Sequence, residues 1–141
     1  MKTHPNGRIF LLLIVYLALA GQNIFAQSFF EDIDQLEELA SRSEKLIKSN
    51  PDSSIYYAKK VTNQKAYEVP DSISIKAFKS LAKANYVLGN TIESYNHSTK
   101  VIALAEKLND EPSKLFGQVH LGLTYLLQDK LRKSIEVFED Y

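Results

Sequence analysis

Lys76, Lys79 and Lys83 recur at i, i+3 and i+7, the spacing that sets side chains on one face of a helix. A row of ammonium groups of this kind can hold carboxylates through charge-assisted hydrogen bonds. Tyr86 and Val87 continue the same side, adding an aromatic and an aliphatic surface to the cations. The other residue types that could do chemistry are scattered. His97 and His120 have no acidic or thiol neighbour at metal-ligand spacing and read as surface or groove histidines. The carboxylates Asp34, Glu37 and Glu38, and again Glu136, Glu139 and Asp140, are spaced like solvated helix faces. Asn96-His97-Ser98 has the form of a glycosylation acceptor but falls inside a predicted helix, so it reads as chance. With no cysteine, the chain has no disulfide, thiolate metal site or thiol nucleophile. After residue 26 the only glycines are Gly89, Gly117 and Gly122, too few and too dispersed for a phosphate-cradling loop. The expectation is a chain with no catalytic residues, no metal site and no cofactor, whose chemistry is recognition.

The elements that must position these lysines begin after residue 26. Lys2 and Arg8 precede an apolar run from Ile9 to Ala20, which is followed by Gly21-Gln22-Asn23 and Ile24-Phe25-Ala26. This order of basic, apolar and small-residue segments is that of a secretory signal peptide, with cleavage expected after Ala26. The run has 12 residues, whereas a membrane-spanning helix needs about 20, so an uncleaved anchor is the weaker alternative. Location outside the cytoplasm, periplasmic or extracellular, follows. Of the 17 basic and 17 acidic residues, the segment removes two basic ones, leaving 15 against 17. A nearly neutral exported chain offers no footprint for nucleic acid. Apolar residues at 45% and charged residues at 24% are globular proportions, so the remainder should fold.

From Phe29 onward apolar residues recur three and four apart, and the pattern is all-α. Ile33, Leu36, Ala40 and Ile47 mark a first helix, ended at Asn50-Pro51, where Asn50 caps and Pro51 opens the second. Ile55, Ala58, Val61 and Lys65 share a face of that second helix, which is expected to run to Val69-Pro70, with Asp71 and Ser72 capping the third. Ile75, Phe78, Leu81, Ala82, Asn85 and Leu88 form the third stripe, and Gly89-Asn90 turns into a fourth helix, Thr91 to Leu108, with Tyr95, Val101, Leu104 and Leu108 expected inside. Asn109-Asp110-Glu111-Pro112 is a stop and a cap for a fifth helix carrying Leu115, Val119, Leu121, Gly122, Tyr125 and Leu126. Asp129-Lys130 closes it, and a sixth runs from Leu131 through Ile135 and Phe138 to Tyr141. The alternation from Val119 to Tyr125 would suit a strand, but it sits in an apolar segment of helical length without a strand partner, so helix is expected there.

The helices repeat. Ser54, Ser94 and Ser134 each stand five residues after a turn and are 40 residues apart, as are Ile55, Tyr95 and Ile135. A small residue at this position lets the second helix of a pair approach the first. The expectation is a series of stacked helix pairs at residues 27–70, 71–110 and 111–141, the last helix being short.

Leu121-Gly122-Leu123-Thr124-Tyr125, followed by Ser134 and Phe138, resembles the pattern of the tetratricopeptide repeats. The other units depart from it, with Asn85 in place of the tyrosine and Ala58 and Ser98 in place of the aromatic residue. The 40-residue spacing is similar to an extended-helix variety found in bacterial signalling and regulatory proteins. The resemblance implies a right-handed stack of antiparallel helix pairs, an α-solenoid of about 2.5 to 3 repeats. It also implies that the first helices of successive pairs line a concave groove. Lys76, Lys79, Lys83, Tyr86 and Val87 would then face that groove, with Phe116, Val119, Leu123, Leu126 and Leu127 at the corresponding positions of the fifth helix. The expected function is an exported, non-catalytic module that binds a protein or an extended acidic peptide. The alternative is the extracytoplasmic sensory portion of a bacterial sensor kinase or membrane-bound regulator. Apolar residues around most of the fifth helix require a cover, which self-association through the C-terminal helices or further repeats would supply.

Overall fold

The structure is a computed structural model that describes residues 32–65 and 68–139. The proposed signal segment, Asp140 and Tyr141 lie outside the described residues. The chain divides into two units, Met1–Gln35 and Leu36–Tyr141, and the packing below is that of the second.

Among the described residues the fold is all-α: α1 over residues 32–46, α2 Pro51–Thr62, α3 Asp71–Val87, α4 Thr91–Leu108, α5 Glu111–Leu127 and α6 Leu131–Glu139. No described residue is in a strand, and the alternating run from Val119 to Tyr125 is helical. No described helix is long and apolar enough to cross a membrane. Helix α3 packs on α2 and α4, α5 packs on α4 and α6, and α3 also touches α5.

Local chemistry explains most of the boundaries. The Asn50 side chain accepts a hydrogen bond from Ser53 N at 3.0 Å, with Pro51 opening α2. Asp110 repeats this with Ser113 N at 3.1 Å. Two expectations are corrected. Helix α2 ends at Thr62, well short of Val69-Pro70, because the next position on its buried face after Val61 is Lys65, which is exposed and gains nothing from continuing the helix. Neither Asp71 nor Ser72 caps α3: the N-cap is Pro70, which supplies no side-chain hydrogen bond, and Asp71 sits in the first turn with its carboxylate 2.6 Å from Lys107 Nζ.

The turns α3–α4 and α5–α6 share their main closing hydrogen bonds at an offset of 40, although the α3–α4 turn adds one from Thr91 N to Gly89 O. Asn90 N bonds Asn85 O at 2.8 Å and Lys130 N bonds Tyr125 O at 2.9 Å; Gly89 N bonds Tyr86 O and Asp129 N bonds Leu126 O, both at 3.0 Å. Gly89 (φ 74°) and Asp129 (φ 57°) both take the left-handed conformation that closes such a helix end. The first backbone bonds of α2, α4 and α6 also coincide: Ser54 N to Asn50 O, Ser94 N to Asn90 O and Ser134 N to Lys130 O.

The three serines are buried. Ser54 Oγ donates to Ser43 O at 2.7 Å and Ser134 Oγ donates to Gly122 O at 3.0 Å, each reaching back to the preceding helix. Ser94 reaches forward. Thr124 Oγ1 spends its hydrogen on His120 O, so the 2.7 Å contact between Ser94 Oγ and Thr124 Oγ1 has the serine as donor.

The buried faces of α4 and α5 are built largely from small side chains. On α4 the buried stripe is Ser94, Ser98, Val101 and Ala105, while Tyr95 and Leu108, expected inside, are 36% and 42% exposed. On α5 it is Ser113, Gly117, His120, Gly122 and Thr124. Leu88, at the end of the third stripe, is also exposed. Close approach of the helix axes excludes the large residues from the contact lines and turns them outward. Of the larger residues that stay inside, Leu81, Val61 and Val101 are completely buried, and Leu36, Ile47, Ile73 and Ile75 nearly so.

Candidate functional site

The three lysines of α3 share a face, but not a role. Lys76 Nζ lies 2.5 Å from Glu37 Oε1 and 3.1 Å from Ser41 Oγ, tying α3 to α1. Of the three lysines expected to face the groove, Lys76 is thus already neutralised, and Glu37, read as part of a solvated face, is the bridge. Lys79 holds its ammonium 4.9 Å from the centre of the Phe116 ring on α5. Such a contact is worth about 0.5–1 kcal/mol near the surface and leaves the charge available to a carboxylate. Lys83 lies one turn further along α3.

Behind these lysines the aromatic residues pack together. The Phe116 ring lies 4.3 Å from that of His120, and Tyr86 meets His120 edge-on at 5.9 Å. His120 is therefore buried, which corrects its reading as a surface or groove histidine. Its Nδ1 has no hydrogen-bond partner. Burial, aided by the nearby Lys83 charge, pushes its pKa down to about 4.

That value makes stability depend on pH. The unfolded chain binds a proton at His120 below about pH 6.5, whereas the folded chain resists it down to about 4. The stabilisation from a neutral ring is present above pH 6.5 and is lost as pH falls toward 4, a change of about 2–3 kcal/mol. Denaturant titrations at pH 7 and pH 4 should therefore show a smaller acid-induced loss in His120→Phe than in the parent. Equal losses would contradict the burial of this ring.

Two adjoining depressions open along the face shared by α1, α3 and α5. One, of about 170 Å³, is bordered by Lys45, Lys48, Lys79 and Lys83 with Glu44, Ile47, Ser80 and Phe116. The other, of about 220 Å³, shares Glu44 and Lys79 and extends to Leu108, Asp110 and Ser113. None of the four lysines bordering the first has an ion-pair partner among the described residues. Lys45 on α1 and Lys48 in the turn after it escaped sequence reasoning, which looked for cations on one helix. Their pairing with Lys79 and Lys83 arises only when α1 and α3 lie side by side.

The remaining predicted positions form a ridge on α5. Phe116 and Leu123 are half-buried, and Val119, Leu126 and Leu127 are exposed, as is Val87 on α3. The fifth helix is thus less fully covered with apolar side chains than the sequence suggested, since its inner face is built from small residues. The cationic row of α3 and the apolar row of α5 lie at the same register, 40 residues apart, in helices that touch.

His97, half-buried on α4, does have an acidic neighbour: Glu93 Oε2 lies 3.6 Å from its Nε2, one turn back. The ring stacks on Phe78 at 5.8 Å, and burial first, then Lys100, lowers its pKa. Among the described residues no three histidine or carboxylate side chains cluster to hold a metal. A third depression, of about 280 Å³, lies between α4, α5 and α6 beside the Tyr95–Tyr125 ring pair. It too was missed, because nothing in the sequence links two tyrosines 30 positions apart. Comparisons of the chain with protein-family models, with curated proteins and with solved structures found no match.

Proposed function

We propose that the chain is an exported, non-catalytic helical-repeat module of tetratricopeptide type, which binds an acidic protein segment across α1, α3 and α5. The 40-residue equivalence of the two turns and of the three buried serines supports a stack of helix pairs. The signal-peptide pattern of residues 1–26 supports export.

One observation carries the binding reading. Lys45, Lys48, Lys79 and Lys83 border a depression also lined by Phe116, with Glu44 as the only carboxylate among the described residues that line it. Four cations against one anion favour carboxylates, and the Val119–Leu123 ridge of α5 offers apolar contact beside them. The ligand class is an extended segment in which acidic and apolar residues are interleaved.

The test is fluorescence anisotropy with labelled octapeptides of alternating glutamate and leucine, or lysine and leucine. The protein is exported through its own leader, and its intact mass should begin at Gln27. The acidic peptide should bind at least about tenfold tighter than the basic one and weaken with salt. Lys79→Glu combined with Lys83→Glu should cost at least about tenfold, roughly 1.4 kcal/mol. Equal affinity for the two peptides, or no change in the double variant, would sink the reading.

A further inference from the structure

Most of the helices carry their charges in the order that the helix dipole favours. Helix α2 begins with Asp52 and ends with Lys59 and Lys60, α4 begins with Glu93 and ends with Lys107, and α3 and α5 begin with Asp71 and Glu111. Helix α6 reverses the order. Its first turn holds Arg132 and Lys133 and no acid, and its last holds Glu136 and Glu139 and no base. Arg132, Glu136 and Glu139 have no ion-pair partner among the described residues. The same helix exposes Leu131 (61%), Ile135 (45%) and Phe138 (43%) at i, i+4 and i+7, a continuous apolar stripe, while only Ser134 is buried against α5. Both the stripe and the charge order are unfavourable for a helix whose exposed face has no partner.

We propose that two copies of the chain associate through α6, antiparallel about a two-fold axis near Ile135. A two-fold operation presents the same patch from both copies. It sets Ile135 against its equivalent and Leu131 against the Phe138 end of the other stripe. On the helix circumference Arg132, Glu136 and Glu139 fall on one flank of the stripe, and the rotation brings the two flanks to the same side. Each Arg132 then lies across from Glu136 and Glu139 of the other copy, so the order that opposes the dipole within one helix becomes complementary between two.

Head-to-tail stacking of copies is the poorer fit. The approach of α5 to α4 needs Gly117, where a Cβ would stand 3.1 Å from Ser98 O, and the counterpart in α3 is Ala77. In α1 that position is Glu37, already held by Lys76.

The absence of cysteine makes the test direct. In the full chain, Ile135→Cys should form a disulfide-linked dimer under mild oxidation, while Asn96→Cys, exposed on α4, should not. Sedimentation equilibrium should show dimers whose dissociation constant rises about tenfold in Arg132→Glu and in Glu139→Arg, and returns to within about threefold of the parent in the combined exchange. Restoration by the double exchange is the signature of antiparallel pairing and would not follow from mere loss of helix stability, which circular dichroism monitors independently. A chain that stays monomeric to about 0.5 mM would overturn the proposal, this being the weak end of specific association. So would cross-linking at residue 135 no greater than at 96, a double exchange no better than the singles, or a complex formed only with a different protein.

Discussion

Leu81→Ala is expected to lower the free energy of unfolding by about 3–5 kcal/mol. The side chain is fully buried in α3, the helix that packs on α2, α4 and α5, so its removal leaves a void bordered by several elements. A fully enclosed site in a helix flanked by three others has little freedom to collapse, which places the cost in the upper part of the usual range. Against a total stability of about 5–15 kcal/mol this is a large fraction. Ile92→Ala is the control: its side chain is 71% exposed and its loss should stay within about 0.5 kcal/mol. Urea denaturation of both variants decides the matter, and similar midpoints would mean that the core is not centred on α3.

The second large effect separates two glycines that look alike in the sequence. At Gly117 an added Cβ would stand 2.7 Å from Ile102 Cγ1, 3.1 Å from Ser98 O and 3.2 Å from Ile102 N. Two of these atoms are backbone of α4, so the larger side chain of Gly117→Val forces the helices apart and should cost about 3 kcal/mol. At Gly122 the nearest atom is closer still, 2.5 Å away, but all three neighbours belong to the Phe138 ring, which is half-exposed and can swing outward. Gly122→Ala should therefore remain within about 1 kcal/mol of the parent, the lost ring contact being offset by the better helix propensity of alanine. Thermal melts of the two variants should fall well apart, and a common melting temperature would refute the assignment of Gly117 to the α4–α5 contact.

The helical pattern, the caps at Asn50 and Asp110 and the periodic serines were legible because each rests on short-range chemistry. A cap needs only an acceptor three residues from a free amide, and a turn only a residue that tolerates positive φ. The inner faces of α4 and α5 were not legible from hydrophobicity. Sequence reasoning follows large apolar residues such as Tyr95 and Leu108, whereas closely spaced helices reserve the contact line for Ser94, Ser98 and Ala105. His120 was misplaced for a related reason. Phe116, one turn back on α5, could be paired with it by spacing, but Tyr86 meets it from α3, which no local rule reveals. Of the candidate site, the lysine row of α3 could be read directly. The diversion of Lys76 to Glu37, 39 positions away, and the arrival of Lys45 and Lys48 could not, since both depend on how α1 lies along α3.

Among α2 to α6, the helices that touch are neighbours or next-but-one along the chain. Each contact can thus form by closing a short loop, at small entropic cost, without waiting for a distant segment. A nascent polypeptide with this connectivity can bury one hairpin while the next is still being synthesised, so that little apolar surface stands unprotected at any moment.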